Sequence, residues 1–287
     1  MSGSVKSAGF DRHARRKLVN YIFVALTSMA TAVAVIALLL ILISLFKNGL
    51  GGMSFDIFTM DQPAAGSPGG LKNAIIGSLI LCGLGMLIAV VIGILAGTWL
   101  AEYGDASKLA PVVRFLNDVL LSAPSILVGL FVYELLVRPF HGFSAIAGAV
   151  ALAFLATPVV TRTTEDILRL QANHLREAGM ALGAGKGLVI RAIIWRASST
   201  GLVTGALLGF ARISGETAPL LFTSLGNSFT SYSLTQPIGS LPKVIFDFAL
   251  SPYDDLRQVA WVGALLISVT VLSANIIGRA LARGSHK

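Results

Sequence analysis

The sequence predicts an all-α integral membrane protein with six transmembrane helices, and three observations carry that reading. The chain's 287 residues are 55% hydrophobic and only 13% charged, against roughly 25% charged in ordinary soluble domains, and its mean hydropathy is +0.80. The apolar residues arrive in blocks long enough to supply the roughly 20 residues a crossing helix needs. The basic residues collect between alternate blocks, as they do where loops on one side of a membrane are positively charged.

In order, the predicted spans are 21–46, 74–100, 116–137, 143–160, 198–213 and 259–281. The first exceeds the roughly 7 to 15 residues of a signal-peptide core, and Phe46-Lys47-Asn48 offers no small-residue cleavage site, so it is expected to be retained. Placing the N-terminus in the cytoplasm puts sixteen Lys and Arg residues on inner segments, from Lys6 to Lys287. It puts five on outer ones: Lys47, Lys72, Arg138, Lys243 and Arg257. Both termini are therefore expected inside. The resulting organisation is a cytoplasmic segment 1–20, a six-span domain 21–281 and a cytoplasmic tail 282–287. An inner loop covers 161–197 and an outer loop 214–258.

The same asymmetry accounts for the net charge of +8. Its basic residues sit at span ends without interleaved aromatics or a nucleic-acid motif, so no nucleic-acid partner is expected and membrane lipid is. The single cysteine, Cys82, falls in an apolar span and reads as a small packing residue. An ATP site is excluded: Gly183-Ala-Gly-Lys186-Gly187 resembles a phosphate loop, but Gly187 replaces the required Ser or Thr and Met180 stands where the first glycine belongs. His13, His141, His174 and His286 lie at ends or in loops, and no nucleophile or metal-ligand spacing appears. No catalytic, metal or cofactor residue is expected.

Apart from Arg279 in the last turn of the final span, one basic residue falls inside a span. Arg212 closes the block 198–213, with Glu216 four residues on. An ionised side chain at a helix centre costs about 2.5–3.5 kcal/mol and usually marks a functional path. At 1.5 Å per residue Arg212 lies about two-thirds across a core of about 30 Å, where it either lines a path or snorkels outward. If the helix continues through Gly215, the two charged heads share one face. Ser214 and Thr217 belong to the same candidate path. Among other charges, Arg114 and Asp118 read as an ion pair at the inner boundary, Glu134 as a wet carboxylate at the outer one, and Pro124 as a kink or break in the third span.

In the inner loop, Leu175, Ala178, Gly179 and Leu182 recur at helical spacing, and Gly183 stands where a helix stops. A second apolar run, 188–195, then leads back to the membrane. On periodicity alone this two-helix elbow is either an interfacial helix on the inner leaflet or a docking element. The outer loop, too long for a plain connector, is expected to fold over the mouth of the path.

Glu177-Ala178-Gly179, three residues, Gly183, nine residues and Ile193 resemble the Glu-Ala-Ala coupling loop of ABC importer permeases. Gly179 stands for the second alanine, and Trp195 and Arg196 for a Leu-Pro pair. Five further stretches resemble the permeases of phosphate-specific ABC importers: Ala74-Ile-Ile-Gly-Ser, Leu100-Ala-Glu-Tyr-Gly104, the run 114–125, Arg162-Thr-Thr-Glu165 and the run 212–223. That resemblance implies a type I ABC importer architecture in a bacterial cytoplasmic membrane, with Glu177, Ala178, Gly179 and Gly183 docking a cytoplasmic ATPase. It implies as partners a second, different permease, a dimer of the ATPase holding ATP and Mg, and an external phosphate-binding protein. It also favours the path reading for Arg212. The alternatives are a permease for another oxyanion and a structural subunit that transports nothing.

Overall fold

A computed structural model describes residues 7–284, all of its regular elements helical. The predicted segment 1–20 is thus described from Ser7, and of the tail 282–287 only the part up to Gly284; Lys6, His286 and Lys287 lie outside the described residues. The chain divides into two compact units, 1–48 and 49–287. The first is α1, Ser7–Gly51, which continues just past the division. From residue 21 to 46 it is apolar all round, with Ser and Thr as its only interruptions, the composition of a helix surrounded by lipid.

The second unit begins with a short turn of helix, α2 (Asp56–Thr59), and the long α3 (Lys72–Tyr103). At 1.5 Å per residue α3 is about 48 Å long, well over a core of about 30 Å, so its ends stand clear of the apolar layer. Every fourth residue along one face is buried: Gly77, Leu81, Gly85, Ala89, Gly93 and Gly97. Leu79, Leu87, Ile92 and Leu95 are exposed. Small residues inward, Leu81 apart, and large aliphatics outward is the arrangement of a membrane helix, where lipid solvates the aliphatics and close backbone approach holds the helices together.

The partner of that face is α6, Ala145–Arg169. Gly85 meets Ala149 and Leu152, Gly93 meets Val160, and Gly97 meets Thr161 and Thr164, so α3 and α6 run in the same direction. Between them in sequence lie α4 (Ala110–Ser122) and α5 (Ser125–Val132), the latter extended by a wide π-type turn, Tyr133–Val137. Arg114 meets Glu165 and Asn117 meets Pro158, while Phe131 packs edge-on to Phe154, so this segment runs antiparallel to α6. α10, Ser199–Ile213, is also antiparallel to α6: Gly201 lies on Ile167, Gly205 on Thr163 and Gly209 on Val160. The last helix, α13 (Asp254–Gly284), returns against α10, with Gly278 on Leu207.

Several boundaries differ from expectation. The third predicted span is not one helix: α4 and α5 meet at 107° across Ala123 and Pro124. Proline cannot donate its missing N–H and disfavours helix in the residue before it, so the break falls where Pro124 forces it. The fourth span runs nine residues beyond 160, into the stretch assigned to the inner loop. It does so through Pro158, whose carbonyl accepts a hydrogen bond from Asn117 (3.2 Å). Four described helices are long and apolar enough to cross by themselves, the bent pair makes a fifth candidate, and α10 has only 15 residues, about 22 Å against a core of about 30 Å.

Candidate functional site: the elbow and the Arg212 turn

The elbow is built from α7 (Asn173–Ala181), α8 (Lys186–Val189), a π-type turn Ile190–Ile194 and α9 (Trp195–Ala197). α7 ends in a Schellman cap: the Gly183 N–H donates to the Met180 carbonyl (2.9 Å) and the Ala184 N–H to the Gly179 carbonyl (3.3 Å). Gly183 takes φ +82°, a left-handed conformation that costs a residue bearing a Cβ about 1–2 kcal/mol. The chain thereby reverses, and the two arms pack. Gly179 is buried, and a Cβ there would stand 2.9 Å from Ile193 Cδ1 and Val189 Cγ2. The glycine in place of the motif's second alanine thus lets the arms close on each other. Glu177, Ala178 and Gly183 are exposed.

Both arms grip the C-terminal end of α3. Arg176 forms a bidentate pair with Glu102, Nε at 3.0 and 3.1 Å from the two oxygens and Nη2 at 2.6 Å from Oε1. Its remaining donors reach the carbonyls of Gln171 (2.7 Å) and Leu168 (2.8 Å), just beyond and within the last turn of α6. Lys186 on the second arm donates to the Glu102 carbonyl and lies 4.0 Å over the Tyr103 ring. Trp195 Nε1 donates to Thr98 Oγ1 (3.1 Å). A second buried carboxylate, Glu165, takes Arg114 (2.8 Å) and Arg169 (3.2 Å). Arg114 therefore pairs with Glu165 and not with Asp118, whose contact is Arg162 at 4.0 Å. An arginine that reaches a nearly dry carboxylate on a packed neighbour gains more than from an exposed one on its own helix. Glu134 is exposed, paired to Arg138 at 2.6 Å.

The Arg212 region differs from expectation in one respect. α10 stops at Ile213, and Ser214 and Gly215 form a turn whose Glu216 N–H donates to the Ile213 carbonyl (3.2 Å). The helix does not continue through Gly215, so the two heads are not an i,i+4 pair, and no ion pair within 4.0 Å joins them. Arg212 is half-buried, and its side chain makes no hydrogen bond or ion pair with any described residue. Its place in the last turn of α10 suits a cation, because the helix's free carbonyls gather there. The Ser214 hydroxyl is buried and turned back to the Phe210 carbonyl (2.6 Å). Thr217 opens α11, Ala218–Thr223, through its carbonyl.

The long connection after α10 is tied down on several sides. α11 packs on α5, with Pro219 close against Gly129. Beyond it the chain hydrogen-bonds to the start of α6, Ala145 N–H to the Gln236 carbonyl and Ile146 N–H to that of Leu234. Asn73 donates to the Asn227 carbonyl (2.6 Å), Asp61 accepts from Thr230, and Ser78 accepts from the Leu241 N–H that opens α12 (Leu241–Ala249).

The family model for the binding-protein-dependent transport system inner membrane component matches residues 89–287. The phosphate transport system permease protein PstA of Haemophilus influenzae is 50% identical over 264 residues, covering 92% of this chain and 94% of its own. PstA of Xylella fastidiosa strain Temecula1 is 47% identical over 278 residues, covering 96% and 97%. The probable PstA of Methanocaldococcus jannaschii is 35% identical, covering 90% and 92%. Among solved structures, a chain of the inward-facing MetNI methionine ABC transporter superposes with a TM-score of 0.63 at 18% identity, covering 75% of this chain and 95% of that one; it shares the fold. The chain belongs to the family of binding-protein-dependent transport system inner membrane components, and within it to the phosphate transport system permeases.

Proposed function

We propose that this chain is one of two different transmembrane permease subunits of an ATP-driven importer of inorganic phosphate, crossing a bacterial cytoplasmic membrane six times with both termini inside. ATP and Mg reside on a cytoplasmic ATPase dimer that docks on the elbow at Glu177, Ala178, Gly179 and Gly183. An external phosphate-binding protein delivers cargo to the face covered by 214–258. Nothing in this chain does ATP chemistry.

The observation that supports the phosphate path most is the Arg212 guanidinium, half-buried at the end of a helix that stops part-way and paired with no described residue. A guanidinium stays charged and offers a planar fork matched to phosphate oxygens, so it replaces part of the anion's hydration inside the membrane. Open space at Gly215, where a Cβ would meet nothing within 4 Å, leaves the turn between Ser214 and Thr217 room to bring Glu216 toward Arg212 once phosphate has left. Glu216 is then an exchange partner, with Ser214 and Thr217 as neighbouring hydroxyls.

The test is uptake of labelled phosphate by the reconstituted complex carrying Arg212→Gln. Loss of a charge-assisted pair worth about 1.5–3 kcal/mol predicts a fall of about 10- to 150-fold, with the ATPase still co-purifying. Uptake at the wild-type rate refutes the path role. Competition by sulfate, molybdate and phosphonate distinguishes a permease for another oxyanion, and a wild-type complex without ATP-dependent uptake would indicate a structural subunit.

A further inference from the structure

Movement of the elbow reaches α10 along the chain, because the second arm is helical from Lys186 to Ala197 and resumes at Ser199, but it reaches α3 only if something rigid joins the two, and the geometry points to Arg176 and Glu102 as that joint. This rests on the docking role proposed for the elbow and assigns how its displacement passes on. Glu102 is 74 residues from Arg176 in sequence, at the end of α3, and its side chain is 3% exposed against 17% for Arg176. All three guanidinium nitrogens are engaged: two on the Glu102 carboxylate, one of these also on Leu168 O, and the third on Gln171 O. One side chain of α7 thus holds α3 by a charged fork and caps the last turn of α6. Those are the two helices packed face to face along the row from Gly85 to Gly97. The second arm closes on the same residue, through Lys186 on the Glu102 carbonyl.

Alternative joints are weaker. The apolar contacts under the elbow, Leu168, Val189 and Ile194, are non-directional and slide, whereas a bidentate pair fixes both distance and angle. A lysine at 176 would supply the charge without the fork. Glu177, the next residue, is exposed, so one turn of α7 presents one charged side chain outward and holds the membrane helices with the other. Arg176 and Glu102 are therefore positioning residues for the coupling step.

The experiment uses the complete complex in proteoliposomes and measures ATP hydrolysed per phosphate imported. Glu102→Gln is expected to raise that ratio at least threefold, because uptake falls while hydrolysis continues. Glu102→Arg should raise it further, and Glu102→Arg combined with Arg176→Glu should bring it back toward wild type, in part only, because the caps on Leu168 and Gln171 are lost. If Glu102→Gln does not assemble, Glu102→Asp, which withdraws the carboxylate by one methylene, is read in the same way. An unchanged ratio, with uptake and hydrolysis falling in proportion, overturns the joint and leaves the pair a fold-holding contact; so does a double reversal no better than the single changes. Failure of the underlying functional reading looks different: the wild-type complex itself would show no ATP-dependent uptake.

Discussion

Gly183 isolates a backbone effect at the elbow. Its φ is +82°, and a Cβ built there would meet no atom within 4 Å, so a substitution changes backbone energy without steric conflict. Gly183→Ala should cost about 1–2 kcal/mol, Gly183→Asn less, because asparagine tolerates the left-handed region, and Gly183→Val more, because it is β-branched. The equilibrium between the closed and open turn shifts by the same free energy, and the apparent affinity for the proposed ATPase partner falls by at most that factor, reached where the open turn predominates. A loss of about 1–2 kcal/mol is about 5- to 30-fold. The assay is titration of the purified ATPase onto detergent-solubilised permease complex, with Gly183→Asn as the tolerant control. The expected order of affinity is Gly, Asn, Ala, Val. Wild-type affinity for Gly183→Val would refute the reasoning, since no packing change is available to compensate.

Two further outcomes follow from packing. On α3, Gly97→Ala places a Cβ 2.6 Å from the Thr161 carbonyl oxygen, whereas Gly83→Ala meets nothing within 4 Å. Contact distances near 3.5 Å mean α3 and α6 must part by about 1 Å in the first case, at about 1–3 kcal/mol, while the second gains up to about 1 kcal/mol of helix propensity. Thermal unfolding followed by labelling of the buried, sole thiol of Cys82 should move in opposite directions for the two variants. For the long connection after α10, Asp61→Ala removes the acceptor for the Thr230 N–H and hydroxyl, charge-assisted bonds worth about 1.5–3 kcal/mol each. Limited proteolysis should then cut within 225–240 at least tenfold faster, while equal rates would show that the contacts to Asn73 and α6 hold the loop alone.

Much of this was legible in the sequence because it follows from local physics. Block length and composition specify membrane helices, and Pro124 marks where one breaks. The spacing from Leu175 to Gly183 describes an amphipathic helix and its stop. The small-residue row from Gly85 to Gly97 was equally present as a repeat of four, although the span prediction weighed only hydropathy. Hydropathy does not distinguish glycine that packs from glycine that faces lipid. The pairing of charges was not legible. Arg114 has Asp118 one turn away yet binds Glu165, 51 residues on, and Arg176 binds Glu102, because desolvated carboxylates are brought to them only when α3, α4, α6 and α7 have packed.

By itself, then, the sequence determined the solvent of this protein, the number of apolar blocks, the connections in which its basic residues gather, the elbow and its glycine, and the presence of an arginine where charge is costly. The tertiary structure decided which charges meet. It bent the third block by 107°, carried the fourth past its apolar stretch, and ended α10 at Ile213, leaving Arg212 and Glu216 as separate groups. The reason is the range of the forces involved. Hydrophobicity and backbone conformation act within a few residues and leave a pattern in the chain, whereas an ion pair between distant helices exists only at the distance and burial that packing creates.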